Sequence, residues 1–289
     1  QGAYGRGRAA RGMHMPEVLY TVEGPKTLIE MTWEEVEEAL KVTDICLVGV
    51  GAFEEHGPHL PLGTDTFGTV ETLKTVQRLL AAEGITVVVG PTVEFGINPG
   101  AMTYPGSITL RPDTLKALLI DVCESLYRHG FKKIALFLGH DENMHVMAVV
   151  AQEMVLAHDD MKVITLNPMP ALKASEGASL KPKRPDGHAG AGETSRMLVT
   201  HPKLVRLERA RVKEGPDRPA LREIPGGLGP LFGGGVYNPA GDLHVYDRHK
   251  GHPGQTGDPR LADPVVGRKA YDAMAAWVAD VIKRDFLGR

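Results

Sequence analysis

Apolar and polar positions along this chain switch repeatedly between two periods. Ile45 to Val50 is an unbroken apolar run, the pattern of a strand buried on both faces. Before it, Thr32 to Val42 has helical spacing, with Trp33, Val36, Ala39 and Leu40 on one side. Phe67 to Ala82 is also helical, with Val70, Leu73, Val76 and Leu80 as its stripe and Gly84 as its stop. Ile85 to Val89 is a β-branched run ended by Gly90-Pro91. Pro112 to Arg128 reads as a helix, Lys133 to Leu138 as a strand, Met144 to His158 as a helix and Lys162 to Leu166 as a strand. Gly192 to Val199 and Gly267 to Lys283 add two more helices. Strands alternating with helices of this length predict an α/β fold: a mostly parallel sheet with helices on both faces, a three-layer α/β/α sandwich. There is no internal repeat. The Gly/Pro-dense stretch Pro225 to Pro259 is too long for an ordinary connection and reads as a lid, an active-site loop or an assembly contact. One elaborated domain over residues 15–289 is expected rather than two.

Composition narrows the class. The chain has 289 residues, 42% hydrophobic and 24% charged, enough for a large core. A net charge of −3 and a pI near 6.5 give no reason to expect nucleic acid or an anionic membrane as partner. No apolar run approaches the roughly 20 residues that span a bilayer. The two cysteines, Cys46 in a strand and Cys123 in a helix, read as buried thiols in a reducing compartment, so a cytoplasmic location is expected. Gln1 to Met13 is rich in Gly, Arg and Ala and lacks the apolar core of a secretory signal. Gln1-Gly2 reads as the scar of a cleaved tag, with a native start near Met13 or Met15. Residues 1–14 are therefore expected to be a tag remnant or disordered.

The candidate chemistry follows the strands. After Val50 comes Gly51-Ala52-Phe53-Glu54-Glu55-His56-Gly57-Pro58-His59, then Thr64-Asp65. This loop carries Glu54, His56 and Asp65, hard and borderline ligands suited to Zn or Mn. After Leu138 comes Gly139-His140-Asp141-Glu142-Asn143, offering His140 and Glu142. A parallel sheet sets such loops side by side at one edge, where α/β proteins bind ligands. Five ligand-type side chains, three of them carboxylates, exceed what one tetrahedral Zn needs and suit two metals with a bridging carboxylate. Asp65 is the natural bridge. Glu55, between two proposed ligands, is expected to point away, as a surface residue or as a support for the ligands, and His59 to orient the loop rather than bind metal. A third cluster, Asp186-Gly187-His188-Ala189-Gly190-Ala191-Gly192-Glu193, surrounds a histidine with small residues and starts a helix with an acid. His188 is the candidate proton donor to a leaving group and Glu193 its orienting partner.

Together these blocks resemble the creatininase family of metal-dependent hydrolases. The family's Glu-x-His-Gly-Pro-His-Leu-Pro block with its later Thr-Asp stands at Glu54 to Pro61 and Thr64-Asp65. Its Gly-His-x-x-Asn stands at Gly139 to Asn143, and its His-Ala-Gly with a later Glu-Thr-Ser at His188 to Gly190 and Glu193 to Ser195. Tyr104 to Pro112 and Gly257 to Ala262 resemble two supporting segments, so the likeness runs in order from about Thr32 to Ala279. The resemblance implies a single creatininase-like α/β sandwich, commonly a hexamer with active sites near subunit contacts. It implies two divalent ions, Zn and/or Mn. Glu54, Asp65 and His140 would hold one, and His56, Asp65 and Glu142 the other. It also implies an acid–base pair of His188 and Glu193. A Glu at 142, where many relatives have Gly, matches the name-giving enzyme and adds Glu142 to the catalytic set.

The same enzyme closes its pocket with tryptophans and an aromatic residue between the second His and the Glu. Here Asp141 takes that place, Lys183 and Arg184 precede His188, and the tryptophans are Trp33 and Trp277, both in expected helices. A more polar substrate than creatinine follows. The expected activity is hydrolysis of a small, polar, cyclic amide or lactam by a metal-bridging hydroxide. The alternative is hydrolytic C–C opening of a cyclic polyol diketone. A non-catalytic binding subunit is the third reading, opposed by the intact set of site residues.

Overall fold

The computed structural model describes residues 26–180, 186–212 and 248–289. Four strands lie among them: β1 (Ile45–Val50), β2 (Val88–Val93), β3 (Lys133–Leu138) and β4 (Lys162–Leu166). All pair in parallel, in the order β2-β1-β3-β4.

Period-two alternation sorts the strand side chains between two helical layers. Ile45 and Leu47 of β1, with Ala135 and Phe137 of β3, face one core. Leu73, Val76 and Leu80 of α2 (Thr64–Ala82) cover it, together with Ala275, Val278 and Ile282 of α7 (Pro264–Leu287). Cys46, Val48 and Val50, with Ile134, Leu136 and Leu138, face the opposite core. There they meet Leu115, Leu119 and Cys123 of α3 (Pro112–His129) and Met147, Val150 and Met154 of α4 (Met144–Ala157). This is the expected sandwich, and both cysteines are buried free thiols within it.

Several expected boundaries move. α2 begins at Thr64 rather than Phe67, which places Asp65 in a helical first turn instead of on a loop. The polar Thr64-Asp65-Thr66 carries no apolar period, yet an acid suits a helix N-terminus. β2 does not stop at Gly90-Pro91 but runs from Val88 to Val93. Its pairing jumps from Leu47↔Val89 to Gly49↔Thr92, so the proline, which has no N–H, sits in a bulge of an edge strand. A helix the periodicity did not predict, α5 (Met169–Leu180), follows β4. α1 (Trp33–Leu40) is held by a capping box between Thr32 and Glu35. Its Val36, Ala39 and Leu40 pack inward, but Trp33, expected on that side, is 69% exposed. Among the described residues no helix is long and apolar enough to cross a membrane. Residues 1–14, Lys183, Arg184 and most of Pro225 to Pro259 lie outside the described residues.

α6 (Ala191–Thr200) presses hard against α7. A Cβ placed on Gly267 would lie 2.1 Å from the backbone oxygen of Ser195. The Ser195 hydroxyl accepts from Asp263 N–H at 2.9 Å, so the helix that carries Glu193 is tied to the α7 cap. Gly267→Ala is therefore expected to destabilise the protein by about 1–3 kcal/mol, since backbone has no side-chain freedom to yield. Urea unfolding measures this, and an unchanged midpoint would contradict the close crossing.

Candidate metal centre

Glu54 and His56 leave the carboxyl end of β1, His140 leaves that of β3, and Asp65 opens α2. Sheet topology thus brings them to one edge, and α6 supplies Glu193 from the other side. His140 Nδ1 lies 3.1 Å from Glu54 Oε2 and 3.1 Å from Asp65 Oδ2. His56 Nε2 lies 3.1 Å from the other Asp65 oxygen, Oδ1, and 3.6 Å from Glu193 Oε2. Asp65 therefore spans two carboxylate–imidazole groups. Glu54, Asp65 and His140 form one set whose ligand atoms lie within 4.8 Å of one another. His56, Asp65 and Glu193 form a second, and Glu54, His56 and His188 a third.

Backbone carbonyls fix both imidazoles. The Glu54 carbonyl lies 3.1 Å from His56 Nδ1, and that of Ile97 lies 3.0 Å from His140 Nε2. Those nitrogens donate, so His56 Nε2 and His140 Nδ1 face the carboxylates with their lone pairs unless a proton or a cation intervenes. Glu54 Oε2 and Asp65 Oδ2 are sealed from solvent, and His140 Nδ1 is the nitrogen that faces both. Imidazole nitrogens and carboxylate oxygens that converge in this way fit Zn or Mn.

The buried acids and imidazoles shift one another's titration. Burial opposes a charge on His56, but Asp65, Glu193 and Glu54 outweigh it and push its pKa up to about 10. His140 is raised well above the usual imidazole range, burial being overcome by Glu54, Asp65 and Glu142. Asp65 stays far below the usual carboxylate range: burial would raise it, but His56 and His140 prevail.

Around this centre, His188 packs against His56 at a tilt of 42°, with ring centroids 4.5 Å apart. Glu193 Oε2 accepts from Ala189 N–H at 2.6 Å and steadies the turn after His188. Ala189 is the one non-glycine with positive φ among the described residues, at 50°. Glu142 stands apart from the three sets. Its Oε2 is buried without a hydrogen bond, 3.8 Å from His140 Nε2, on the far side of the ring from Asp65. His59 orients the loop: its Nε2 meets the Thr194 hydroxyl at 3.0 Å and its carbonyl accepts from Arg206. Burial, with His56 and His188 nearby, pulls His59 down to about 4, so it stays neutral.

Three residues were misjudged or missed in the sequence. Glu55 stays outside the three ligand sets as expected, but it is buried rather than at the surface, with Oε1 3.3 Å from His188 Nε2. Asp186 caps α6 by accepting from Ala191 N–H at 2.7 Å and Gly192 N–H at 2.8 Å. An Asp just before a glycine-rich helix start was the available signal. Asn143, fully buried, donates to Gly51 O at 2.8 Å and accepts from Ile97 N–H at 2.9 Å, tying together the loops after β1 and β2. The Gly-His-x-x-Asn block at Gly139 to Asn143 pointed to it.

A parallel α/β sheet with carboxylates and imidazoles gathered at its carboxyl edge defines the class, a metal-dependent enzyme scaffold. The creatininase family profile, described as creatinine amidohydrolase, matches residues 29–282. This chain belongs to the creatininase family, whose members are metal-dependent hydrolases. It is 30% identical over 198 residues to the creatinine amidohydrolase of Pseudomonas putida, covering 62% of this chain and 74% of that one. It is 28% identical over 190 residues to the 3-dehydro-scyllo-inosose hydrolase of Thermotoga maritima, covering 62% and 58%. It is 26% identical over 243 residues to the mycofactocin precursor peptide peptidase of Mycobacterium tuberculosis, covering 82% and 83%. A manganese creatininase structure superposes with a TM-score of 0.70 at 25% identity, covering 90% of this chain and 99% of that one. A variant creatininase of Zn-Zn type gives 0.69 at 25%, covering 91% and 99%.

Metal must displace the protons on His56 and His140, because only neutral imidazole ligates. Both pKa values are raised, so at pH 7 metal uptake is expected to release a proton from each ring. Apparent affinity is expected to rise with pH until it passes the His56 value of about 10. Calorimetry in two buffers of different ionisation enthalpy reads this release, and buffer-independent heats would contradict it.

Proposed function

We propose that this protein is a dinuclear metal-dependent hydrolase that cleaves the C–N bond of a small, polar, cyclic amide or lactam other than creatinine. The observation that carries the reading is Asp65, with its two oxygens each 3.1 Å from a different imidazole. Manganese- and zinc-bearing creatininases of the same fold support Zn or Mn as the metals.

Glu54, Asp65 and His140 would hold one ion. His56 and Asp65 would hold the other, completed by Glu193, which the distances favour, or by Glu142, which the family resemblance favours. Two such ions supply Lewis acidity and a water of lowered pKa. The protein's own groups do the rest. The oxygen of water joins the carbonyl carbon, the C–N bond breaks, and His188 gives the departing nitrogen its proton. Glu193 keeps the His188-Ala189-Gly190 turn in place.

Asp141 lies half-buried beside His140, and burial raises its carboxyl pKa. Trp33 is exposed on α1, and Trp277 packs against the core between α2 and α7. A pocket with Asp141 where an aromatic would stand suits a substrate rich in hydroxyl or amine groups. That observation also favours a second reading, C–C opening of a cyclic polyol diketone, with a ring carbon taking the proton from His188. The inosose hydrolase relative supports it. The protein would work on a small molecule as a homo-oligomer, the hexamer being the family's common form.

Three measurements test these assignments. Asp65→Ala is expected to lose both metals and all turnover; full metal content or activity in that variant would overturn the bridge. Glu193→Gln is expected to cost one metal equivalent while Glu142→Gln keeps both, and the reverse pattern would give the ligand position to Glu142. Assaying lactams, cyclic polyol ketones and peptides side by side separates C–N from C–C cleavage. Turnover of peptides alone would overturn the small-substrate assignment.

A further inference from the structure

The buried carboxylate of Glu55 is the group that the metal chemistry leaves without a role. It belongs to none of the three potential ligand sets, although it stands between Glu54 and His56. Its Oε2 accepts from Gly57 N–H at 2.9 Å, in a turn that Gly57 allows with φ of 66°. Its Oε1 is sealed from solvent, makes no hydrogen bond, and faces His188 Nε2 at 3.3 Å. The same Nε2 lies 2.8 Å from the Glu55 backbone carbonyl. The carboxylate is boxed in. The Glu55 N–H is held by Ser107 Oγ at 2.9 Å, and a Cβ on Gly254 would lie 2.1 Å from Oε2. The other end of His188 is fixed as well, its carbonyl accepting from Thr256 N–H at 2.8 Å.

We propose that Glu55 is a positioning residue for His188: its carboxylate and carbonyl together hold the imidazole as the Nε2–H tautomer, so that proton transfer to the leaving group runs through Nδ1. The inference rests on the proposed hydrolase reading, in which His188 moves that proton. The chemistry follows from donor and acceptor counting. Nε2 meets two oxygens that can only accept, so it carries the hydrogen. The side chain must be a carboxylate because two donors converge on it, Gly57 N–H on one oxygen and His188 Nε2–H beside the other. An amide offers a single acceptor oxygen and leaves one donor unmatched. A buried acid that orients an imidazole through its non-reacting nitrogen is a general device for fixing tautomer and ring plane.

The test is made on the zinc-loaded full chain. Long-range 1H–15N spectra are expected to show His188 with Nε2 protonated and Nδ1 bare. Glu55→Ala is expected to keep both metal equivalents, to broaden or shift the His188 ring signals, and to lower kcat on the preferred substrate by on the order of 10- to 100-fold with KM little changed. Glu55→Gln, which keeps the shape of the side chain, is expected to fall between Glu55→Ala and wild type. A wild-type His188 protonated at Nδ1 would overturn the proposal. So would a Glu55→Ala protein whose ring signals and kcat match wild type, or a loss confined to metal content. Failure of the hydrolase reading looks different: the wild-type chain itself would bind less than one metal or turn nothing over.

Discussion

The structure turns on the burial of carboxylates that no Lys or Arg side chain answers among the described ion pairs. Glu54 and Asp65 sit at the carboxyl edge of a parallel sheet with two imidazoles between and beside them. Taking a charge out of water is expensive unless an opposite charge stands close by. No Lys or Arg side chain pairs with either acid among the described ion pairs, so protons on His56 and His140 do so in the metal-free protein. That arrangement aims one nitrogen of each ring at the oxygens a divalent ion would use. The cost of burying these groups and the affinity for metal are two aspects of one geometry.

The remaining structure keeps that geometry rigid. Period-two alternation in β1 and β3 fills a core on each face of the sheet and leaves the strand ends to the site. Asn143 joins the loops that follow the strands, His59 ties the first loop to α6, and Asp186 caps the helix that presents Glu193. None of these side chains needs to touch a substrate. Each satisfies a backbone or hydroxyl group whose release would let a ligand-bearing loop drift, and sub-ångström placement is what a paired-metal site demands.

Much of this was legible in the chain itself. Apolar runs marked β1, β3 and β4, and the helical stripe of α2 marked the layer over the sheet. The Glu54, His56, Asp65 and His140 positions announced a candidate metal site because ligand-type residues recur at the ends of successive strands, and the structure brings them together. Other features were hidden for physical reasons. Asp65 read as a loop residue because the polar first turn of a helix shows no apolar period. Glu55, between two ligand positions, read as a surface residue or a support for the ligands, and the turn at Gly57 brings its carboxylate inside. Glu193 read only as a partner of His188, yet a strained turn at Ala189 and the close α6–α7 crossing carry it to 3.6 Å from His56. Such placements depend on tertiary contacts, which spacing along the chain does not encode.

The substrate question reduces to the surroundings of a shared core. Three relatives with different named substrates match this chain over much of its length, so the core alone does not select a bond to break. That choice falls to the residues around the core. The claim on which everything rests is that Asp65 joins two metal positions. Anomalous diffraction from crystals of the zinc-loaded protein tests it most directly. Two peaks on either side of Asp65, about 3.5–4 Å apart, are the result this account requires. A single peak, or a pair that does not share Asp65, would contradict it.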